Sequence, residues 1–476
     1  MPLNRRAFLG SLAALPLAGA PSKPNIVFIL CDDMGWGDPA CYGATKIPTP
    51  NFDRLSSSGM RFTDAHSASA VCTPTRYGVL TGRYAWRTRL KQGVLLGYDE
   101  PLIDEGRMTV ASMLRQHGYY TGCIGKWHLG LEWARKDPSQ PPAEENIDFS
   151  NPIRRGPLSV GFDYYYGISA SLDMPPYIFI ENDRPVGRPT AWMEKQGAVR
   201  AGLREPSFHT VNVLPDLTRK AAEFIDRRGA APARPFFLYL PLSSPHTPVV
   251  PAPEFRGKSQ AGEYGDFVHQ TDWSVGEILK VLDRHRLAAN TLVVVTSDNG
   301  STNPPMGEFD HRPNGPWRGR KSTIWDGGHR IPFVACWPGR IEAGARCDEP
   351  VCLNDLLATS AEIVGAKPPA EAGEDSFSIL PALTGRRYRR PLRGPIVHHS
   401  IDGMFAVREW PYKFVEGRGS GGWDGKGEPG DPPGQLYDLA KDPAERNNLY
   451  PSQPALVKRF EALIGKLRRD GRSRPA

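Results

Sequence analysis

Several short stretches of the 476-residue chain combine residue types and spacings able to do chemistry. Cys72-Thr73-Pro74-Thr75-Arg76 runs into Tyr77-Gly78-Val79-Leu80-Thr81-Gly82-Arg83. Pro74 suits the first turn of a helix, where a missing N–H costs nothing. Leu80 lies one turn beyond Arg76, and Gly82 is a natural stop. Cys72 is therefore predicted at a helix N-terminus, where free N–H groups and the dipole favour an anion. The Arg76 guanidinium, one turn on, would face the same anion. Asp32-Asp33 follow the apolar run 25–30, which reads as a buried parallel strand. Carboxylates at the carboxyl end of such a strand lie where open α/β sheets place ligands. Side by side they repel unless a cation or a proton intervenes. Asp298-Asn299 end a second apolar run, 291–297, so four donor residues stand at two strand ends. Hard oxygen donors of this kind suit Ca²⁺, with Mg²⁺ as the alternative. Lys126 and His128 flank Trp127 just past the segment 119–124, and in an extended segment both face one side. His246 sits between Pro245 and Thr247-Pro248 just past the strand-like run 235–240, a rigid setting that suits proton transfer. Each stretch also has a bland reading: a structural thiol, a solvated turn, an exposed lysine, a packed or capped histidine.

The run from Cys72 to Arg83 resembles the signature of the type I sulfatases, C-x-P-x-R followed by L-T-G-R. The other elements follow in that family's order: Asp32-Asp33, Lys126/His128, His246 and Asp298-Asn299. The segment from Arg320 to Arg330 resembles the element G-K-x-[ST]-x-x-[ED]-G-G-x-R, with Lys321 on its catalytic lysine. The departure is Arg320, where glycine is more usual; it is expected to crowd or recharge the sulfate pocket. The segment 161–173 resembles the one after the K-x-H motif and puts Ser171 towards the sulfate, with a turn-stabilising serine as the alternative. The segment 436–449 resembles the element before the last helix of sulfatases.

The resemblance covers nearly the whole chain beyond residue 20, and it implies an alkaline phosphatase-like fold and a sulfuric ester hydrolase. It also implies that a maturation enzyme oxidises Cys72 to formylglycine, whose hydrated aldehyde is the nucleophile and a further metal ligand beside Asp32, Asp33, Asp298 and Asn299. One hydroxyl would attack sulfur to give a covalent sulfated intermediate, with Arg76, Lys126 and Lys321 stabilising the charge. His246, with Lys321, would protonate the departing alcohol. His128 would take the proton from the second hydroxyl and expel sulfate. Two other functions compete: a phosphonate or phosphate ester hydrolase of the same superfamily, and a sulfated-glycan-binding protein that never matures Cys72.

These residues need a scaffold. The chain is long for one core, and its 49 Gly and 47 Pro imply many loops. The expected architecture is α/β: a large, mostly parallel mixed sheet over residues 21–390, flanked by helices at 49–58, 107–117, 218–228, 265–285 and 354–364. A smaller antiparallel sheet is expected over 391–476, with strands at 396–398, 404–409, 412–416 and 435–438 and a helix packed on it. A further strand is expected at 331–338. Residues 132–157 and 176–212 read as loops. The latter belongs with Asp173 and His311 to a candidate substrate rim, and the Gly/Pro-rich stretch 417–434 could overhang the site.

Hydrophobic content of 39% and charged content of 23% are ordinary for a soluble globular protein. The net charge of +7 can steer anionic substrates. No Lys/Arg stripe interleaved with aromatics is present, which weighs against nucleic acid as a partner. Apart from Cys72 the cysteines are Cys31, Cys41, Cys123, Cys336, Cys347 and Cys352; they lack C-x-x-C zinc spacing, and their pairing cannot be read. Residues 1–20, with Asn4-Arg5-Arg6-Ala7-Phe8-Leu9-Gly10 ahead of an apolar run ending Ala18-Gly19-Ala20, read as a twin-arginine signal. That run is too short to span a bilayer, and no integral membrane segment is expected in the mature chain. The expectation is export by the twin-arginine machinery to the periplasm or beyond, towards a sulfated carbohydrate substrate.

Overall fold

Alternate residues of the strand Asn25–Asp32 enter two different cores. Ile26, Phe28 and Leu30 pack on one face of the sheet, and Val27, Ile29 and Cys31 on the other. A strand buried on both faces must be apolar throughout, which is why this run shows no alternation. The computed structural model describes residues 23–231, 234–302 and 308–475. The expected signal segment, 1–20, lies outside the described residues.

Asn25–Asp32 lies at the centre of a mixed 10-stranded sheet. On one side it pairs in parallel with Thr291–Ser297, which continues through Phe333–Cys336, Met60–Phe62 and Ala345–Cys347. On the other it pairs in parallel with Phe236–Pro245, followed by Tyr120–Lys126 and Tyr164–Ile168, also parallel, and then the short Ile180–Glu181 and Arg184–Pro185. The register sets Phe28 opposite both Tyr239 and Val294. Five neighbouring parallel strands thus end on one edge of the sheet, and the candidate residues stand there.

Helices Cys72–Thr81 and Val110–Gln116 cover the face of Phe28, through Tyr77, Val79, Leu80, Val110, Met113 and Leu114. Helices Pro50–Ser58, Thr210–Gly229 and Gly262–Arg284 cover the other, through Phe52, Leu55, Leu217, Phe224, Val275 and Ile278. Each such fully buried side chain contributes about 1.5–3 kcal/mol.

Four departures from the sequence reading have local causes. The helix expected from residue 218 begins at Thr210 and runs through Pro215. The apolar face of Val213, Leu214, Leu217 and Ala221 holds it across the missing N–H. Tyr164–Ile168 is a strand of the main sheet, where Gly167 packs so closely that a Cβ would lie 1.8 Å from the Gly125 carbonyl oxygen. Met60–Phe62 and Ala345–Cys347 are strands of three residues, too short to show a period. The stretch read as irregular at 176–212 contains the hairpin of Ala191–Met193 and Gly202–Arg204.

A second, antiparallel sheet runs Ile396–His399, Phe405–Glu409, Tyr412–Val415, Gln435–Asp438. The helix Pro454–Arg469 lays Val457, Phe460, Ile464 and Leu467 against Val407, Phe414 and Leu436. A buried ionic layer joins this sheet to the larger one. Lys413 Nζ reaches Asp326 at 2.9 Å, Glu445 at 2.8 Å and His329 Nε2 at 3.0 Å. Arg408 holds both oxygens of Asp64, at 2.8 and 2.7 Å, and Arg330 donates to Asp64 at 2.7 Å. Within this layer His329 stacks on His398, with centroids 3.6 Å apart, and its Nδ1 meets His66 Nδ1 at 3.0 Å. Burial, reinforced by Arg408, pushes His66 down to about 4; burial likewise holds His329 and His398 well below the usual histidine range. All seven cysteines are free thiols. Among the described residues no helix is long and apolar enough to cross a membrane.

Candidate active site

Asp32 is the last residue of its strand, and Asp33 turns away from it at φ 64°, in the left-handed region. That turn lets the Asp33 N–H donate to Asp298 Oδ1 at 3.1 Å, while the Met34 N–H donates to Ser297 Oγ at 2.9 Å. The two strand ends are thereby stitched together. Asn299 Nδ2 donates to Asp33 Oδ1 at 2.7 Å, which turns Asn299 Oδ1 the other way. This oxygen is buried and has no hydrogen-bond partner, an arrangement that costs free energy unless a ligand meets it.

Cys72 opens its helix, with Val71 extended before it and Gly82 closing it at φ 63°. Its Sγ lies 3.7 Å from Asp32 Oδ1. Burial pushes the thiol up to about 12, against the pull of Lys126 and Lys321. Arg76, one turn on, is fully buried. Its Nε and Nη2 donate to Asp298 Oδ2 at 3.1 and 2.7 Å, its Nη2 to Asp32 Oδ1 at 3.2 Å, and its Nη1 to the Lys126 carbonyl at 3.1 Å. One guanidinium ties three strand ends to the helix carrying Cys72.

Lys126 Nζ donates to both oxygens of Asp32, at 2.9 and 2.8 Å, and to Ser171 Oγ at 3.3 Å. Burial alone would raise the Asp32 carboxyl, but Lys126, His246 and Arg76 hold it well below the carboxylate range. Lys321 Nζ donates to Asp33 Oδ2 at 2.7 Å; burial would lower this ammonium, and Asp33 keeps it raised. His246 Nε2 stands 3.6 Å from Asp33 Oδ2, and its ring nitrogens lie 3.3 Å from Ser171 Oγ. His246 Nδ1 contacts the Thr247 carbonyl.

His128 differs from expectation in its path. The strand ends at Lys126, and His128 has φ 56°, so no extended alternation aligns the two side chains. Instead His128 Nε2 bonds the Leu95 carbonyl at 2.7 Å. A carbonyl can only accept, so Nε2 carries the proton and Nδ1 is the free base; that nitrogen is buried and without a partner. Burial, then Lys126 and Arg76, hold His128 well below the histidine range.

The structure thus brings Asp32, Asp33, Cys72, Arg76, Lys126, His128, Ser171, His246, Asp298, Asn299 and Lys321 to one edge of the sheet. Ligand atoms of Asp32, Asp33, Cys72 and His246 lie within 4.8 Å of one another. Crowded carboxylates and the unpartnered Asn299 oxygen fit a hard divalent cation. Burial, with Asp32 and Asp33 adding to it, raises the Asp298 carboxyl in spite of Arg76.

Three residues are held by other partners. Asp173 pairs with Arg200 at 2.8 Å. His311 is buried, with Nε2 on Asp38 Oδ1 at 2.8 Å, and is no part of an open rim. Arg320, expected to crowd the sulfate pocket, is part-exposed and donates to Asp424 at 2.7 Å. The Leu95 carbonyl, which sets the tautomer of His128, had no signal in the sequence because its role belongs to the backbone.

A family model described as Sulfatase matches residues 24–366. The chain is 34% identical to an N-acetylgalactosamine-6-O-sulfatase of Bacteroides thetaiotaomicron, over 93% of this chain and 92% of that one. It is 31% identical to the steryl-sulfatase of Homo sapiens, over 91% and 85% of the two chains. A solved structure described under the metabolism of multiple glycosaminoglycans by Bacteroides thetaiotaomicron superposes with a TM-score of 0.83 at 32% identity, covering 94% of this chain and 99% of that one. The PsFucS1 sulfatase from Pseudoalteromonas sp. superposes with a TM-score of 0.71 at 26% identity, over 94% and 91%. The site sits on that shared fold, and the chain belongs to the sulfatase family, whose members are sulfuric ester hydrolases.

Proposed function

We propose that this sulfatase removes O-sulfate groups from a sulfated carbohydrate, using formylglycine made from Cys72 and a bound Ca²⁺. The observation that carries the reading is the placement of Cys72. It opens a helix with its Sγ 3.7 Å from Asp32 Oδ1, on the strand-end edge that also gathers Arg76, Lys126 and Lys321. A small oxygen nucleophile at that carbon would sit among charge-stabilising donors. Asp32, Asp33, Asp298 and Asn299 would hold the cation, with Mg²⁺ as the alternative.

Formylglycine supplies an aldehyde hydrate as the oxygen nucleophile, and Ca²⁺ supplies Lewis-acid polarisation of a sulfate oxygen. The chain's own residues do the rest. Arg76, Lys126 and Lys321 balance the three carboxylates, so a divalent cation leaves an excess of positive charge that a sulfate monoester meets. Ser171 Oγ, shared by Lys126 and His246, orients both. His246 Nε2, 3.6 Å from the Asp33 oxygen that Lys321 also holds, is positioned to donate a proton to the leaving alcohol. His128 Nδ1 accepts a proton, because Leu95 already fixes its other nitrogen.

The carbohydrate reading is supported by the named activity of the Bacteroides thetaiotaomicron and Canis lupus familiaris N-acetylgalactosamine-6-sulfatase relatives, both 34% identical. The twin-arginine run would carry the folded protein to the periplasm or the medium. The test is hydrolysis of an aryl sulfate, a 6-O-sulfated N-acetylgalactosamine saccharide and a phosphate diester by protein matured with a formylglycine-generating enzyme. Turnover of both sulfates, abolished in Cys72→Ala, supports the reading. A preference for the phosphate diester, or saccharide binding with no turnover, overturns it.

A further inference from the structure

One exposed aromatic sits on a loop that several bonds fasten to the segment around Lys321. Trp423 is 54% exposed and belongs to the Gly-rich stretch 417–434 that follows the second sheet's Tyr412–Val415 strand. Its backbone N–H donates to Ser322 Oγ at 3.2 Å. Ser322 is the neighbour of Lys321 and is itself pinned: its N–H donates to the Ala70 carbonyl at 2.8 Å, and its carbonyl accepts from Ile401 at 3.1 Å. Ser322 holds φ 82°, a costly conformation for a non-glycine residue that persists only when its surroundings fix it. The loop presses on it closely, since a Cβ at Gly422 would lie 2.5 Å from the Ser322 carbonyl oxygen. On either side of Trp423, Ser420 accepts from the Ile324 N–H at 2.8 Å, and Asp424 takes the Arg320 guanidinium at 2.7 Å. Trp423 is therefore one hydrogen bond from Ser322, and Ser322 one from Ala70, two residues ahead of Cys72.

The other exposed tryptophans lack this placement. Trp410 lies in the turn between Phe405–Glu409 and Tyr412–Val415, and Trp192 on the separate hairpin of Ala191–Met193 and Gly202–Arg204. An exposed indole on a loop anchored next to Lys321 suits a pyranose, which presents an apolar C–H face to an aromatic ring and hydroxyls to its surroundings.

We propose that Trp423 is a saccharide-stacking platform of the leaving-group subsite, and that Arg320 and Asp424 position it. This rests on the proposed action on a sulfated carbohydrate and names where the sugar beyond the sulfate is held. The residue that departs from the family pattern thus acts outside the sulfate pocket, by tying the second sheet's loop over the catalytic one.

The test compares kcat/KM for a 6-O-sulfated N-acetylgalactosamine oligosaccharide with kcat/KM for nitrophenyl sulfate, in full-length matured protein. In Trp423→Ala the ratio of the two falls roughly tenfold, carried by KM of the saccharide, since truncating an aromatic anchor commonly costs this much. Trp423→Phe retains most of the ratio. Asp424→Asn lowers it in the same direction, Arg320→Lys retains more of it than Arg320→Gly, and Asp424→Asn adds little to Trp423→Ala because the residues act as one unit. A ratio within about twofold of the parent overturns the proposal. Calorimetric binding of the oligosaccharide to Cys72→Ala protein, with and without Trp423→Ala, decides the point without turnover. Equal affinities, or no binding, overturn it. Binding that depends on Trp423 in a chain that hydrolyses no sulfate would uphold the platform and sink the catalytic reading instead.

Discussion

Replacing Lys413 by methionine removes one charge from the buried layer between the two sheets and keeps the volume close. Lys413 is fully buried, and its ammonium is shared by Asp326 and Glu445. Asp326 retains Arg330 at 3.1 Å. Glu445 retains only the Asp326 N–H, at 2.6 Å, and becomes a buried carboxylate without a cation. Where Glu445 is ionised, breaking a buried pair in this way costs about 3–5 kcal/mol, a large fraction of a typical total of about 5–15 kcal/mol. The pH dependence is specific. Burial already pushes Glu445 up to about 7, so below that pH the carboxyl is protonated with or without Lys413. Above it only the variant keeps the proton. A carboxyl raised in the folded state loses stability as pH rises through its folded value, and in the variant this loss continues beyond pH 7. The gap between the proteins should widen by about 1 kcal/mol per pH unit there. Urea unfolding followed by far-UV circular dichroism at pH 6, 7 and 8 measures it. A variant within about 0.5 kcal/mol of the parent at pH 8 would overturn this expectation, as would a gap that narrows with rising pH.

Further outcomes follow from the same geometry. His128→Ala should lower kcat for an aryl sulfate by about 10²–10⁴-fold, as loss of a general base does, while calorimetric binding of the product is retained. Added Ca²⁺ should raise the unfolding free energy of metal-stripped protein by about 2.7 kcal/mol at a hundredfold excess over Kd, and Asn299→Ala should shift that titration to higher Ca²⁺. His66, His329 and His398, all held below the usual value near 6.5, contribute stability that is present above that pH and lost as pH falls below it, the share of His66 going by about pH 4. Glu445 opposes this between about pH 4.5 and 7. His66→Phe should flatten the acid limb of a urea-midpoint profile.

The strand ends were legible because long apolar runs announce them: Asn25–Asp32 and Thr291–Ser297 are buried on both faces, so Asp32, Asp33, Asp298 and Asn299 stand where the hydrophobic pattern stops. Pro74 and Gly82 marked the helix of Cys72 by local backbone chemistry. Ser171 and Lys321 carry no such mark; they sit on loops whose direction is set by distant packing, and only the family resemblance reached them. His128 was reached for an incomplete reason, since a left-handed turn and the Leu95 carbonyl aim it, not strand alternation. Arg320 could not be placed because its partner, Asp424, lies 104 residues away. Pro215 hid the first turns of its helix for a converse reason, as packing there outweighs local propensity.

The central claim is that residue 72 works as an oxygen nucleophile and not as a thiol. A peptide mass spectrum across residues 72–83, on protein from its own host with hydrolytic activity in hand, tests it most directly. Active protein is expected to have lost the Cys72 sulfur and to carry an aldehyde or its hydrate. Hydrolysis of sulfate esters by protein whose Cys72 is entirely an unmodified thiol would contradict it.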